Sequence, residues 1–550
     1  MELNVIDEHE SSKIINIIED NLGKSLYAAV LYGSRISGYA REDSDYDAIG
    51  IVKDLGYPLR YLYVEYPDKN VYISALLANK KVFEKDSEFA DYGEFIIGRL
   101  LSPYIAIRNK DYIEKYEICY KKRVILEELM SLYNKYKDLT LDFIIPLKYI
   151  LLSRLKRRIQ TYPIVKYSYV KTYYGKCGFQ NMKWAVNRFK IAATELSKEA
   201  PIEIIDENCI VLKSGIRGFD KLDTIMWIRG LKSYIAHGLS ARVKPRVVGE
   251  EVKSKVMRSI EMIRSPIELE NPEILLRTKF SLFTPKPLSY KDIVRTIFGS
   301  EVRIKTQIKK GLLSPTYILE VDSLDNKNKI VIKEFSWLWI IKWLLIQLWT
   351  IDVKKFSISP RSRMLNEYLG LINIKEISNV NSPKPLLIDW GGKKLVIEYV
   401  VGDRLSEYID KGYSDFLKKK FYEYGVFLGN IHSQGYTIGD TKPQNILIGK
   451  QVEQFTIIDL EQWRVDQNKS WDISLFLFYS FKFKIKYQKM KDIIKAFIKG
   501  YRDGGGNIKD LKKAVSIRFI RPFIFLTPLN TLLKIRSIIL ESTIKNQSVR

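Results

Sequence analysis

The chain has 550 residues, 46% of them hydrophobic and 12% aromatic, which is too long for one compact core and too apolar for a largely disordered protein. Its formal net charge of +26 sets up a broad positive potential that attracts polyanions such as nucleic acid, acidic lipid or nucleotide phosphates, although a Lys- and Ile-rich composition suits surface ion-pair networks equally. Cys119, Cys177 and Cys209 are too few and too widely spaced for a disulfide framework or a multi-cysteine metal site.

A reducing, cytoplasmic setting is therefore expected, and the acidic start MELNVIDEHE carries no secretory signal. Two apolar stretches, 335–350 and 519–540, fall short of the roughly 20 clean apolar residues of a membrane span.

In chain order, SSKIINIIEDNLGK reads as a helix and YAAVLYG as a strand, followed by a Gly/Ser turn and further strands at YDAIGIVKD, YLYVEY and VYISALLA. Residues 1–120 are thus expected to form a small α/β unit. From 121 to 275 the pattern turns to long 3.6-residue periods, as in VILEELMSLYNKY, LKYILLSRLKRRI and MKWAVNRFKIAATELS, which predicts a mostly helical section. After a Pro-containing passage short strands return at SPTYILEVDS, KIVIKEF and KKLVIEYV, and helical sequence follows. A third section, 276–550, completes a multidomain α+β chain.

The segment VLYGSRISGYAREDSDYDAIGIV brings a strand to Gly33-Ser34-Arg35 and opens the next strand with Asp45-Tyr46-Asp47. Alternation puts Asp45 and Asp47 on one face, where two carboxylates can hold divalent ions about 3.5–4 Å apart. The Gly33-Ser34 turn can offer backbone N–H groups to nucleotide phosphates. This segment resembles the nucleotidyltransferase superfamily of polymerase-β type, including the small-residue position Gly38. The resemblance implies a nucleotidyltransferase-like domain with a third carboxylate on a neighbouring strand. VYISALLA offers Tyr72 and Ser74 there, which leaves Glu65 as the substitute. An active transferase and a regulatory nucleotide-binding module both remain open.

Residues 154–176 interleave Arg154, Lys156, Arg157, Arg158, Lys166, Lys171 and Lys176 with Tyr162, Tyr167, Tyr169, Tyr173 and Tyr174. Cations among stacking rings suit tRNA or another RNA, and a solvated basic helix followed by a Tyr-rich loop on the core fits the same residues. His9 and His237 each stand alone, so no His pair has metal-ligand spacing.

In the last section HSQGYTIGDTKPQNILI supplies Asp440, Lys442 and Asn445, and the strand FTIIDLE ends at Asp459. Phosphoryl transfer needs a base near the acceptor hydroxyl, oxygen ligands for Mg²⁺ and a cation on the nucleotide phosphates, in fixed order. The set resembles the catalytic loop and metal-binding strand of protein kinases. The resemblance extends to Lys333 in KIVIKEF, Glu367 in RSRMLNEYLG, a hinge at LVIEYVVGDRL and Asp472 in WDISLF.

Ile438 stands where most protein kinases have His or Tyr, and His432 lies one turn earlier. Asp459-Leu460-Glu461 lacks the usual Phe-Gly, no activation loop separates Asp459 from Asp472, and the phosphate-covering loop keeps one glycine, Gly311. These departures point to compact atypical kinases: the RIO-like, tRNA-complex-associated, aminoglycoside and lipopolysaccharide kinases. The resemblance implies a bilobal fold, ATP with Mg²⁺ or Mn²⁺ as cofactors, and transfer to a protein Ser/Thr or to the chain itself. A small-molecule or RNA acceptor and a non-catalytic nucleotide-sensing scaffold are the alternatives. Between Lys333 and Glu367 the Trp-rich run 335–350 reads as a buried helix or as a docking surface for a partner or a membrane interface.

Overall fold

The computed structural model describes residues 7–67, 71–215, 222–240, 269–299, 302–310, 316–323, 326–336, 347, 350, 352–378, 380–449, 454–466, 468–482 and 486–544. The chain divides into two compact units, Met1–Lys279 and Phe280–Arg550, each of mixed α and β structure. The sections expected at 1–120 and 121–275 therefore share the first unit. Gly311 and most of the Trp-rich run, including Trp337, Trp339, Trp343 and Trp349, lie outside the described residues. No helix among the described residues is long and apolar enough to cross a membrane.

In the first unit, helix α1 (Glu8–Leu22) starts where the Asp7 carboxylate accepts the Glu10 N–H and stops at left-handed Gly23. Strands β1 (Ala28–Tyr32), β2 (Tyr46–Val52), β3 (Leu59–Tyr66), β4 (Val71–Asn79) and β5 (Ile105–Arg108) form one sheet in the order β3-β4-β2-β1-β5. The pair β2 and β4 is parallel and the other pairs are antiparallel. Ala29, Leu31, Tyr46, Ala48, Ile73, Ala75 and Leu77 share a buried core with Ile14, Ile15 and Ile18 of α1. Side chains alternate along a strand, so the register row Tyr32, Asp47, Ser74 and Tyr63 faces the other way.

Helices α2 (Lys80–Phe89), α3 (Lys110–Tyr136), α4 (Leu147–Thr161), α5 (Lys166–Tyr174), α6 (Gly178–Leu196) and α7 (Leu222–Ser240) build the rest of this unit. A small four-stranded sheet of β6 (Phe143–Pro146), β7 (Ile202–Ile205), β8 (Cys209–Leu212) and β9 (Arg277–Thr278) interrupts the helical section. Strands this short carry too few alternations to be read from sequence.

A buried charge network ties the helices together. Glu94, fully buried, lies 2.9 Å from Arg123, 3.3 Å from Arg154, 3.0 Å from Arg158 and 3.5 Å from Arg229, and accepts the Tyr120 hydroxyl at 3.0 Å. Glu127 meets Arg154 at 2.6 Å and Arg229 at 2.7 Å, while Glu128 meets Arg154 at 3.2 Å and Arg157 at 3.0 Å. Part of the stretch 154–176 is therefore structural, while Lys156, Arg157, Lys166, Tyr167, Lys171, Tyr174 and Lys176 stay partly or fully exposed. Arg154 and Arg158 are buried on glutamates, Tyr162, Tyr169 and Tyr173 are buried, and the expected Tyr-rich loop is helix α5. Those side chains are out of reach of a nucleic acid.

Burial disfavours both the Glu94 and the Glu127 carboxylates, but the guanidinium groups outweigh it: Glu94 is held well below the usual carboxylate range and Glu127 is brought down to about 2. Carboxyls with depressed folded values contribute stability that is complete above their unfolded value of about 4.5 and drains away as pH falls through the folded ones. Amide-exchange protection of α3 and α4 is expected to hold from neutral pH to about pH 5 and to fall progressively toward pH 2. Glu94→Gln, which faces four guanidinium groups with a neutral amide, is expected to cost about 3–5 kcal/mol at neutral pH, read by denaturant titration.

In the second unit, β10 (Leu282–Thr284), β11 (Arg303–Lys310), β12 (Thr316–Ser323), β13 (Asn326–Glu334), β14 (Pro385–Asp389) and β15 (Lys394–Glu398) form a sheet in the order β10-β14-β15-β13-β12-β11. Helix α8 (Tyr290–Phe298) packs Ile293 and Val294 on Leu319, Val321, Ile330, Ile332, Leu387 and Val396. Lys333, next to Ile332 on the central strand β13, therefore projects from the opposite face.

Helix α9 (Pro360–Ile377) follows in sequence, and α10 (Asp415–Ser433), α11 (Ser470–Ser480), α12 (Tyr487–Asp503) and α13 (Leu529–Ile544) form the helical part. Gly425 and Gly429 of α10 meet Gly500 and Gly504 at α12: a Cβ at any of the four would run into backbone atoms of the other helix. The two helices touch backbone to backbone, a close approach that only glycine permits.

Candidate functional site

In the second unit Asp440, Lys442 and Asn445 lie on a loop between the short strands Tyr436–Thr437 and Ile446–Ile448. Fully buried Asp472, in the first turn of α11, accepts the N–H groups of Ile438 at 2.7 Å and Gly439 at 2.9 Å. The Thr441 hydroxyl donates to the Asp472 carbonyl at 2.7 Å, and the Trp471 indole N–H donates to the Gly439 carbonyl at 2.9 Å. His432 closes the arrangement, with Nε2 3.3 Å from Asp472 and Nδ1 2.8 Å from the Tyr501 hydroxyl. The ring that sequence reading misses at Ile438 is thus supplied against Asp472 by the end of α10.

The Asn445 amide donates to the Asp440 carbonyl at 3.0 Å, and the Ile458 N–H donates to the Asn445 carbonyl at 2.9 Å. That bond ties the loop to the strand Phe455–Ile457, which delivers Asp459. Asp459 has φ 67°, a left-handed conformation costing a non-glycine residue about 1 kcal/mol or more. Its Oδ1 lies 3.4 Å from Lys333 Nζ, which also sits 2.6 Å from Glu367 Oε1 on α9. Arg363 of α9 pairs with Glu461 at 3.0 Å, a contact not foreseen from sequence. Lys442 Nζ lies 2.9 Å from Asp440 Oδ1.

Burial works against the Lys333 ammonium, but Glu367 and Asp459 outweigh it and hold Lys333 above the usual lysine range. Lys442 is raised in the same way, with burial opposing and Asp440 prevailing. Both groups are firmly cationic. Asp459 and the Asn445 amide oxygen are hard oxygen donors of the kind Mg²⁺ or Mn²⁺ takes, with phosphate and water completing the shell. Among the described residues no group of three or more His, Cys, Asp or Glu side chains is arranged to hold a metal.

In the first unit the turn after β1 carries Gly33, with φ +84°, and Ser34. A Cβ on Gly33 would run into the Asp47 carboxylate, so glycine lets the turn close over Asp47. Arg35 donates from Nε to the Ser44 carbonyl at 3.0 Å and lies over the Tyr46 ring, which steadies the approach to Asp45 and Asp47. The Asn181 amide donates to the carbonyls of Ser37 at 2.9 Å and Thr172 at 2.8 Å, tying the turn to α5.

Asp47 pairs in register with Ser74, and Ser74 with Tyr63. Glu65 pairs with Tyr72 on the far side of β4, is exposed, and accepts the Tyr72 hydroxyl at 3.4 Å. It shares the face of Asp45 and Asp47 but stands two strands from β2, about 9–10 Å away at the usual strand spacing. Glu65 therefore stands apart from the Asp pair in the sheet, across β4. Comparison with protein-family models and with curated proteins gives no match to this chain.

Asp472→Ala leaves the N–H groups of Ile438 and Gly439 unsatisfied inside the unit. The expected cost is on the order of 3 kcal/mol, with loss of exchange protection concentrated in 436–445 and retained in α12. Uniform loss across the unit would contradict a local bracing role.

Proposed function

We propose that residues 280–550 form a bilobal, atypical protein-kinase-like phosphotransferase that moves the γ-phosphoryl of ATP to a hydroxyl, with a protein Ser/Thr or the chain itself as acceptor. The observation that carries this reading is the meeting of Lys333, Glu367 and Asp459, from three separate elements, beside the Asp440–Lys442–Asn445 loop. Lys333, steadied by Glu367, holds the α- and β-phosphates. Asn445 and Asp459 would hold Mg²⁺ or Mn²⁺, which would neutralise charge developing on the phosphates. Asp440 orients or deprotonates the acceptor hydroxyl, and Lys442 steadies the transferring phosphoryl. Support also comes from the strained backbone at Asp459 and from the bracing of the loop by Asp472.

A second reading, with a small-molecule or RNA acceptor, is favoured by the short interval between Asp459 and Asp472. Its strand Arg464–Val465 pairs directly with Tyr436–Thr437 and leaves little room for an activation segment. For residues 7–120 we propose a polymerase-β-type nucleotidyltransferase-like unit that binds a nucleotide through the Gly33-Ser34 turn and the Asp45/Asp47 pair. The neutral residue at Ser74 favours a regulatory nucleotide site over transfer of a nucleoside monophosphate.

Incubation with Mg²⁺ or Mn²⁺ and, in parallel, γ-labelled and α-labelled ATP tests these assignments. Label from the γ position is expected on protein, falling at least about a hundredfold in Asp440→Ala with little change in melting temperature. Retained transfer in that variant removes Asp440 from the proposed role. Label from the α position, lost in Asp45→Asn, would establish a live transferase in place of the regulatory site.

A further inference from the structure

The buried and half-buried arginines around Glu94 each have a carboxylate: Arg123, Arg154, Arg158 and Arg229 lie within 3.5 Å of Glu94 and Arg188 pairs with Glu117. Arg99, half-buried in the turn Ile97–Leu101, has none among the described residues. Its guanidinium donates from Nε to the Tyr32 hydroxyl at 2.9 Å and from Nη2 to the Tyr61 hydroxyl at 2.7 Å, and stacks on the Phe95 ring 4.4 Å from its centroid. Phenols are weak partners for a cation withdrawn from water.

The two phenols also fix where that charge sits. Tyr32 ends β1 opposite Asp47, and Tyr61 stands on β3 one alternation from Tyr63, so both rise from the face that carries Asp47 and Ser74. Strands β2 and β4 lie between them in the sheet. The guanidinium therefore spans β2 and β4 above the face where a third carboxylate would project from the position of Ser74. The Tyr32 hydroxyl lies within the field of both Arg99 and Asp47. A fixed cation in this place repels a second divalent ion and attracts a phosphoryl oxygen.

We propose that Arg99 is the anion-binding residue of the amino-terminal site, holding a phosphoryl oxygen of a nucleoside triphosphate that Asp45 and Asp47 bind through a single divalent ion. The inference rests on the nucleotide-binding reading of residues 7–120. It adds to that reading a third positive anchor beside the metal and the Gly33-Ser34 turn, on a residue no motif marks. The proposed unit binds nucleotide with one metal and one arginine where transfer chemistry uses two metals.

The test is photo-cross-linking of the full chain with Mn²⁺ and 8-azido-ATP, with labelled peptides assigned to residues 7–279 or 280–550. Arg99→Met is expected to weaken labelling of 7–279 about ten- to a hundredfold in apparent affinity, the worth of one charge-assisted hydrogen bond, and to leave labelling of 280–550 unchanged. Should Arg99→Met fail to fold, Arg99→Gln keeps donors for both phenols and drops the charge. Wild-type affinity in either folded variant, alongside loss of labelling in Asp47→Asn, overturns the role of Arg99 and spares the nucleotide reading. Labelling of 7–279 that is absent, or indifferent to Asp47→Asn, overturns both.

Discussion

A carboxylate with no access to water has to be met by donors, and in the second unit that requirement falls on Asp472. Its two oxygens take the N–H groups of Ile438 and Gly439 and face His432, while its own carbonyl takes the Thr441 hydroxyl. Ile438 and Gly439 before the candidate base and Thr441 after it are thereby held from one point. The ring that completes the shell reaches Asp472 because α10 and α12 touch at glycines, bringing the Tyr501 hydroxyl onto His432. The positions of Asp440, Lys442 and Asn445 therefore depend on a helix contact made well away from them in sequence.

Buried charge is used in two ways. Around Glu94, cations and carboxylates are matched, and the network holds helices together without offering anything to a ligand. At Lys333 and at Arg99 the balance is incomplete: Lys333 divides its attention between Glu367 and an Asp459 held in a strained conformation, and Arg99 has phenols alone. A buried cation with no carboxylate costs stability, so the persistence of Arg99 on the face of Asp47 is consistent with the proposed anion-binding role.

Much of this was legible in the sequence, and the failures have definite causes. Period-two runs such as YDAIGIV and VYISALLA form β2 and β4, because alternating burial leaves a local signature. The order Asp440, Lys442, Asn445, Asp459 and Asp472 is local as well. What eluded sequence reading is pairing at a distance. Arg154 resembles any basic residue until Glu127, 27 residues upstream, and Glu94, 60 residues upstream, are brought beside it. Glu65 could be nominated as the available carboxylate on a nearby strand, but only strand order reveals that β4 separates it from β2. Arg99 carries no motif, and its meaning comes from two tyrosines on strands that are not neighbours.

On the proposed reading, the charges of the second unit also set the order in which a substrate complex is assembled. Without nucleotide, Lys333 spans Glu367 at 2.6 Å and Asp459 at 3.4 Å, so the metal-binding carboxylate is already partly neutralised by the cation that belongs to the phosphates. An ammonium has three donors, and the shorter bond to Glu367 survives when phosphate oxygens arrive. The longer one to Asp459 is the contact that a divalent ion displaces. Lys333 would thus free the Asp459 carboxylate for a metal ion only as phosphate oxygens draw its ammonium away, which would make nucleotide and metal binding cooperative. The left-handed backbone at Asp459 keeps its carboxylate at that junction, which is where strain of this kind has a use.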